Sequence, residues 1–139
     1  MGRGVTLRYR CRAETVPMAR RRVEAELCRH HIDPDVVERL VLATAEACNN
    51  AITHSACATY AVTVEVRAGI CIISVIDSGA GFDVPDTFEM PEPHAVSRRG
   101  LALMCALVKD VEVTSTAAGT TVVLCEPLGI QVAQVVAAS

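Results

Sequence analysis

Glu46 and Asn50 stand four residues apart in the run Glu46-Ala47-Cys48-Asn49-Asn50. On a helix that spacing puts a carboxylate and a carboxamide on one face, about 6 Å apart. The two groups suit different jobs. The Asn50 oxygen is a hard donor for Mg²⁺, while the Glu46 carboxylate can accept a proton or orient an attacking hydroxyl. His54 extends the row by one more turn. An ordinary polar helix face would hold similar residues, but Asn49 and Asn50 are poor helix formers inside an otherwise apolar stretch. Polar groups on the buried side of such a stripe need partners, and a ligand is one source of them.

Three other short runs could hold the rest of a ligand. Asp77-Ser78-Gly79-Ala80-Gly81 directly follows an apolar β-rich run. Gly79 and Gly81 let the backbone turn and let a flat ligand approach, and Asp77 can accept a hydrogen bond from an exocyclic amine such as that of adenine. A plain turn would use the same residues. Arg98-Arg99-Gly100-Leu101-Ala102-Leu103-Met104 places two cations and a glycine where a helix begins. Free N–H groups and the helix dipole there favour anions, phosphate among them. The run is not a Walker A loop, whose G-x-x-x-x-G-K-[ST] pattern is absent. Gly119-Thr120-Thr121 is a turn with hydroxyls to spare before a strand.

The elements that must position these residues follow from hydrophobic periodicity. Val5 to Arg12 alternates as a half-exposed strand, and Pro17 to His30 reads as an amphipathic helix with Thr15 as N-cap. Its apolar residues are Met18, Val23, Ala25 and Leu27. Asp33-Pro34 caps and starts a second helix, whose stripe (Val36, Val37, Leu40, Val41, Ala43, Ala47, Ala51, Ile52) runs to about His54. Thr59 to Arg67 and Ile70 to Ile76 form a hairpin about Ala68-Gly69. Residues 83–97 carry Pro85, Pro91 and Pro93 and read as a mobile loop with at most one helical turn. Gly100 to Val108 is a short helix, and Val111 to Thr116 and Thr120 to Leu124 close the fold as a hairpin. The last dozen residues, 128–139, carry no placing pattern. This order predicts a single α/β domain over 1–139, a two-layer sandwich with a mostly antiparallel mixed sheet covered on one face by helices.

Composition narrows the function classes. The chain has 139 residues, enough for one buried core, and the core must be aliphatic because there are only two Tyr, two Phe and no Trp. Few stacking aromatics and a net charge of −3 argue against nucleic acid as a direct partner. Basic residues crowd the first third (Arg3, Arg8, Arg10, Arg12, Arg20, Arg21, Arg22), a pattern that suits a solvated face or a partner surface. The seven cysteines are scattered without a C-x-x-C pair, and Cys48, Cys71, Cys105 and Cys125 lie in apolar runs. Reduced, packed thiols with no signal peptide and no long apolar span imply a cytoplasmic protein that does not enter a membrane. Cys28, His30 and His31 are close in sequence, but without a matching distant pair they are a weak metal pattern.

Taken in order, Glu46-Ala47-Cys48-Asn49-Asn50-Ala51-Ile52-Thr53-His54, Asp77-x-Gly79-x-Gly81, Arg99-Gly100-Leu101-Ala102-Leu103-Met104 and Gly119-Thr120-Thr121 resemble the nucleotide-binding boxes of the GHKL ATPases. That superfamily includes gyrase and histidine kinases. Within it, the compact length and the E-A-x-x-N-A-x-x-H helix look like the bacterial anti-sigma-factor serine/threonine-protein kinases. The resemblance implies ATP and Mg²⁺ as cofactors, with Asn50 on the metal and Glu46 as base or orienting group toward a substrate serine. It implies adenine recognition by Asp77, a pocket shaped by Gly79 and Gly81, phosphates bordered by Arg99, Gly100 and Leu101, and support of the adenine end by Thr121. His54 would line the pocket.

It further implies an anti-sigma factor that binds a sigma factor and phosphorylates an anti-anti-sigma protein, and a homodimer. A nucleotide-binding partner trap with little or no kinase activity is the alternative, and a histidine-kinase catalytic domain a third reading. Two departures bear on it. Ala102 replaces a glycine that many members carry, and the proline-bearing segment between the second and third boxes is short, so the ATP lid is expected to be small.

Overall fold

The computed structural model describes residues 3–54, 58–77, 98–116 and 118–129. Along the chain they form β1 (Arg3–Arg10), α1 (Thr15–Cys28), α2 (Pro34–His54), β2 (Thr59–Arg67), β3 (Ile70–Asp77), α3 (Arg98–Leu107), β4 (Asp110–Thr116) and β5 (Gly119–Pro127). The five strands make one sheet in the order β1-β2-β3-β5-β4, and every pairing is antiparallel. This is the expected α/β sandwich, with an antiparallel rather than a mixed sheet among the described residues. The glycines Gly79 and Gly81, the loop expected over 83–97 and most of the tail fall outside the described residues.

Strand alternation sorts the sheet into two faces. Facing the helices, residues line up across all five strands in rows. One row is Leu7, Val62, Val75, Val122 and Val113, and the next is Val5, Val64, Ile73, Leu124 and Val111. These ten aliphatic residues form the sheet's half of the core, and Val62, Ile73 and Leu124 are fully buried. The rows on either side carry the polar groups of this face. At one end stand Tyr9, Tyr60, Asp77, Thr120 and Ser115, and at the other Val66, Cys71 and Glu126.

The helices supply the other half of the core. On α2, Val37, Leu40, Val41, Ala43, Ala47 and Ala51 are buried, as the stripe predicts, and the Asp33 carboxylate accepts the Asp35 N–H at 2.8 Å as the N-cap should. On α1 the buried residues are Val16, Ala19, Val23 and Leu27, spaced three and four apart. Met18 and Ala25, expected inside, are exposed. Thr15 is the first helical residue and not the N-cap. Its hydroxyl turns inward to the carbonyls of Arg10 (3.0 Å) and Arg12 (2.7 Å) and to the Tyr60 phenol (2.7 Å). The Ala68-Gly69 hairpin has both residues at positive φ (53° and 79°), the geometry a two-residue turn needs to follow the strand twist. No helix among the described residues is long and apolar enough to cross a membrane.

Candidate functional site

α2 is oriented by contacts at both ends. Near its start, Arg39 reaches Glu126, in the Cys71 end row. Thirteen or so ångströms along the axis, at about 1.5 Å per residue, the Cys48 thiol lies close enough to Tyr60, in the opposite end row, for the two to perturb each other's ionisation. The helix therefore runs from the Glu126 end of the sheet to the Asp77 end. Glu46 and Asn50 flank Cys48 by two residues on either side, so both reach the level of the Asp77 row. Asn50 is buried and Glu46 half-buried. Asn49, the other asparagine of the motif, faces solvent.

Asp77 is the buried centre of its row, with Tyr60 beside it on β2 and Thr120 beside it on β5. Its Oδ1 accepts the Thr120 N–H at 3.1 Å, which fixes the carboxylate's direction. The close fit depends on Gly119: a Cβ there would stand 2.1 Å from the Asp77 carbonyl oxygen. Thr120 is buried and its Oγ1 is 2.8 Å from the Ser115 hydroxyl.

Thr121 lies elsewhere. It pairs with Ile76 and Thr114 and belongs to the opposite face of the sheet. The alternation that puts Val122 and Leu124 in the core places Thr120, not Thr121, toward Asp77, so the signal for Thr120 was present in the strand period.

The third element arrives from the far end. The Leu107 carbonyl at the C-terminus of α3 accepts a bond from Arg39 at 2.6 Å, which fixes that end beside the start of α2. Because the two helices pack along each other, α3 must run antiparallel to α2. Its first turn then lies about seven residues, or roughly 10 Å, back toward Glu46 and Asn50. In that turn Gly100 is buried, Leu101 packs against the core and Arg99 is exposed. Ala102 is on the exposed side of α3. The structure thus brings Glu46, Asn50, Asp77 and the Arg99-Gly100-Leu101 turn to one end of the fold. Gly79 and Gly81 lie outside the described residues.

Behind this end sits a buried polar chain. Tyr60 is 2% exposed, stacks on Tyr9 with ring centroids 5.7 Å apart, and joins Cys48 to Thr15. Thr15 has one proton for two carbonyls, so the Tyr60 phenol donates to it. Burial raises the Tyr60 phenol above its ordinary value and pushes the Cys48 thiol up to about 12, the Tyr60 bond opposing the latter shift. Neither group ionises near neutral pH, so the chain is a structural support. Of the cysteines expected inside, Cys48 and Cys71 are buried, Cys125 is half-buried and Cys105 is exposed.

The Asn50 amide oxygen is a hard donor of the kind Mg²⁺ takes, and the Glu46 carboxylate stands one turn before it on the same helix. The described neighbourhood also holds the carboxylate of Asp77 and the positive end of the α3 dipole, a setting that favours an anion.

Comparison with known proteins bears on the family and the fold. The sequence model of the histidine kinase-like ATPase domain matches residues 9–125. No curated protein matches the chain. Among solved structures, the RsbU and RsbW domains of Rv1364c from Mycobacterium tuberculosis share the fold with a TM-score of 0.71 and 22% identity. The match covers 91% of this chain and 32% of that one.

Proposed function

Because the chain belongs to the histidine kinase-like ATPase domain family, we propose that it is an ATP-dependent protein-serine kinase and an anti-sigma factor, binding a sigma factor and phosphorylating an anti-anti-sigma protein. The observation that carries the ATP reading is the meeting of Asn50, Asp77 and the α3 start at one end of the sheet. The likeness to a chain containing an RsbW domain supports the anti-sigma part.

In this reading the Asn50 oxygen holds Mg²⁺ and Glu46 orients or deprotonates the substrate hydroxyl. Asp77, held by Thr120, accepts the adenine amine, with Gly79 and Gly81 shaping the pocket. Arg99, Gly100 and Leu101 border the phosphates. Bound ATP supplies the transferable phosphoryl group, so the chain's own residues have only to position reactants and neutralise charge. The exposed arginines Arg8, Arg10, Arg12, Arg20, Arg21 and Arg22 suit acidic protein partners. The edge position of β1 leaves room for a homodimer.

Calorimetry with Mg-ATP on wild type and Asn50→Ala tests the core of the proposal. We expect magnesium-dependent binding that the variant loses at least tenfold. Equal affinity in both would remove Asn50 from the metal. Binding without phosphate transfer to any serine-bearing partner would leave a nucleotide-binding partner trap.

A further inference from the structure

The end of the fold opposite the site holds an ionic group that no step above uses. Glu126 is a buried carboxylate on β5. Its Oε1 accepts the Lys109 N–H at 2.7 Å and its Oε2 accepts from Arg39 Nη1 at 3.2 Å. The same Arg39 nitrogen donates to the Leu107 carbonyl at 2.6 Å. Four parts of the chain meet here: Arg39 from α2, the last carbonyl of α3, the Lys109 amide two residues past it, and Glu126 of β5.

Each bond answers a need that a helix end creates. The last carbonyls of a helix have no intrahelical N–H donor, and a cation at that end also meets the negative pole of the helix dipole. Lys109 N–H, just past the end of α3, would otherwise be left without a partner beside the core. Burying an ion pair is a poor route to stability, since apolar side chains of the same size serve as well or better. What it does supply is direction, because a single guanidinium nitrogen held by both a helix carbonyl and a carboxylate ties α2, α3 and β5 to one point.

That direction bears on the site through α3. The helix is only ten residues long, and the clamp grips its C-terminus while its N-terminus carries Arg99 and Gly100. A rigid helix carries a tilt at the clamp to its other end, roughly 10 Å away. Met104, fully buried between the two ends, packs the helix on the core.

We propose that Arg39 and Glu126 are positioning residues that aim the first turn of α3 at the phosphates of the bound nucleotide. The inference rests on the nucleotide reading of the site. It makes a prediction that loss of stability alone does not: adenosine, which touches the Asp77 end, is indifferent to the clamp, whereas ATP is not.

The test is calorimetric binding of adenosine and of Mg-ATP to wild type, Arg39→Met and Glu126→Gln. Met keeps the aliphatic stem of a partly exposed side chain, and Gln keeps shape and one acceptor, so at least one variant remains folded; circular dichroism checks each. Arg39→Met is expected to weaken ATP about tenfold and leave adenosine within twofold of wild type. Glu126→Gln is expected to weaken ATP about threefold in the same selective way. A folded Arg39→Met with the wild-type ATP-to-adenosine ratio would overturn the assignment, and so would equal loss of both ligands. Wild type that binds neither ligand at millimolar concentration would overturn the nucleotide reading itself, and the clamp's role with it.

Discussion

Gly119 separates steric from conformational strain better than any other position in the chain. It opens β5 at φ 140°, and an added Cβ would lie 2.1 Å from the Asp77 carbonyl oxygen and 3.1 Å from Asp77 Oδ1. To restore an ordinary contact near 3 Å, β5 must withdraw from β3 by about 1 Å, a large step within a strand spacing of about 4.8 Å. That withdrawal stretches the Thr120 N–H bond to Asp77 beyond hydrogen-bond range. Losing a bond to a charged acceptor costs about 1.5–3 kcal/mol, and the strained φ about 1–3 kcal/mol more. Gly119→Ala should therefore destabilise the fold by about 2.5–6 kcal/mol.

Gly69 is the control: it also has positive φ, 79°, but a Cβ there meets nothing within 4 Å. Gly69→Ala should cost only the left-handed backbone term, about 1–2 kcal/mol. Urea unfolding of both variants with unchanged m-values measures the gap, and adenosine binding should be lost in Gly119→Ala alone. If the two variants fall within 1 kcal/mol of each other, the close approach of β5 to Asp77 is not what fixes the site.

Two further outcomes follow from the same rows. Thr120→Val should weaken adenosine binding severalfold and lower stability by about 1 kcal/mol through the lost Ser115 bond, whereas Thr121→Val, on the other sheet face, should change neither beyond twofold; the reverse order in side-by-side calorimetry would contradict the strand register. Stability should also fall in alkali. Burial pushes the thiols of Cys48 and Cys71 from 9.0 up to about 12, with Cys125 and Glu126 adding to the shift at Cys71. The folded state then keeps protons that the unfolded chain releases. The stabilisation is whole below pH 9 and is lost between pH 9 and 12, about 1.4 kcal/mol per thiol by pH 10. Urea midpoints at pH 8 and pH 10 for wild type and Cys48→Ala/Cys71→Ala check this, and an equally steep decline in the double variant would refute it.

The elements were legible because their patterns are long. The α2 stripe repeats over six turns and its ends carry explicit signals, Asp33-Pro34 at the start and the polar Asn49-Asn50 run near the finish. The β2–β3 hairpin was marked by Ala68-Gly69 between two β-branched runs. Where reading failed, a local rule lost to a tertiary demand. Thr15 has the side chain of an N-cap, but its hydroxyl has a buried phenol to satisfy 45 residues away, and the helix starts without a side-chain cap. Met18 and Ala25 looked like core until Val16 and Ala19 set the phase of α1. Arg39 and Glu126 gave no sign at all, because a pair separated by 87 residues is invisible until the sheet and helix are docked. Within the site, Glu46, Asn50 and Asp77 were legible as types and spacing, and Thr120 was hidden by its neighbour Thr121.

The row order of the sheet explains why polar side chains collect where they do. Two middle rows of aliphatic side chains are closed to polar groups, since a hydroxyl or carboxylate there would lose its water with nothing to replace it. At the row ends the demand can be met. Tyr60 finds Thr15 and Cys48, Asp77 finds the Thr120 amide, and Thr120 finds Ser115. Glu126 does the same at the far end with Arg39 and Lys109. On the helix-facing side of the sheet, polar residues are thus confined to the two ends by the core itself, and the helices, which run the length of the rows, connect them. A substitution at Glu126 is expected to be felt at Gly100 for that reason. No polar path through the interior is required, only a short rigid helix with one end held and the other aimed.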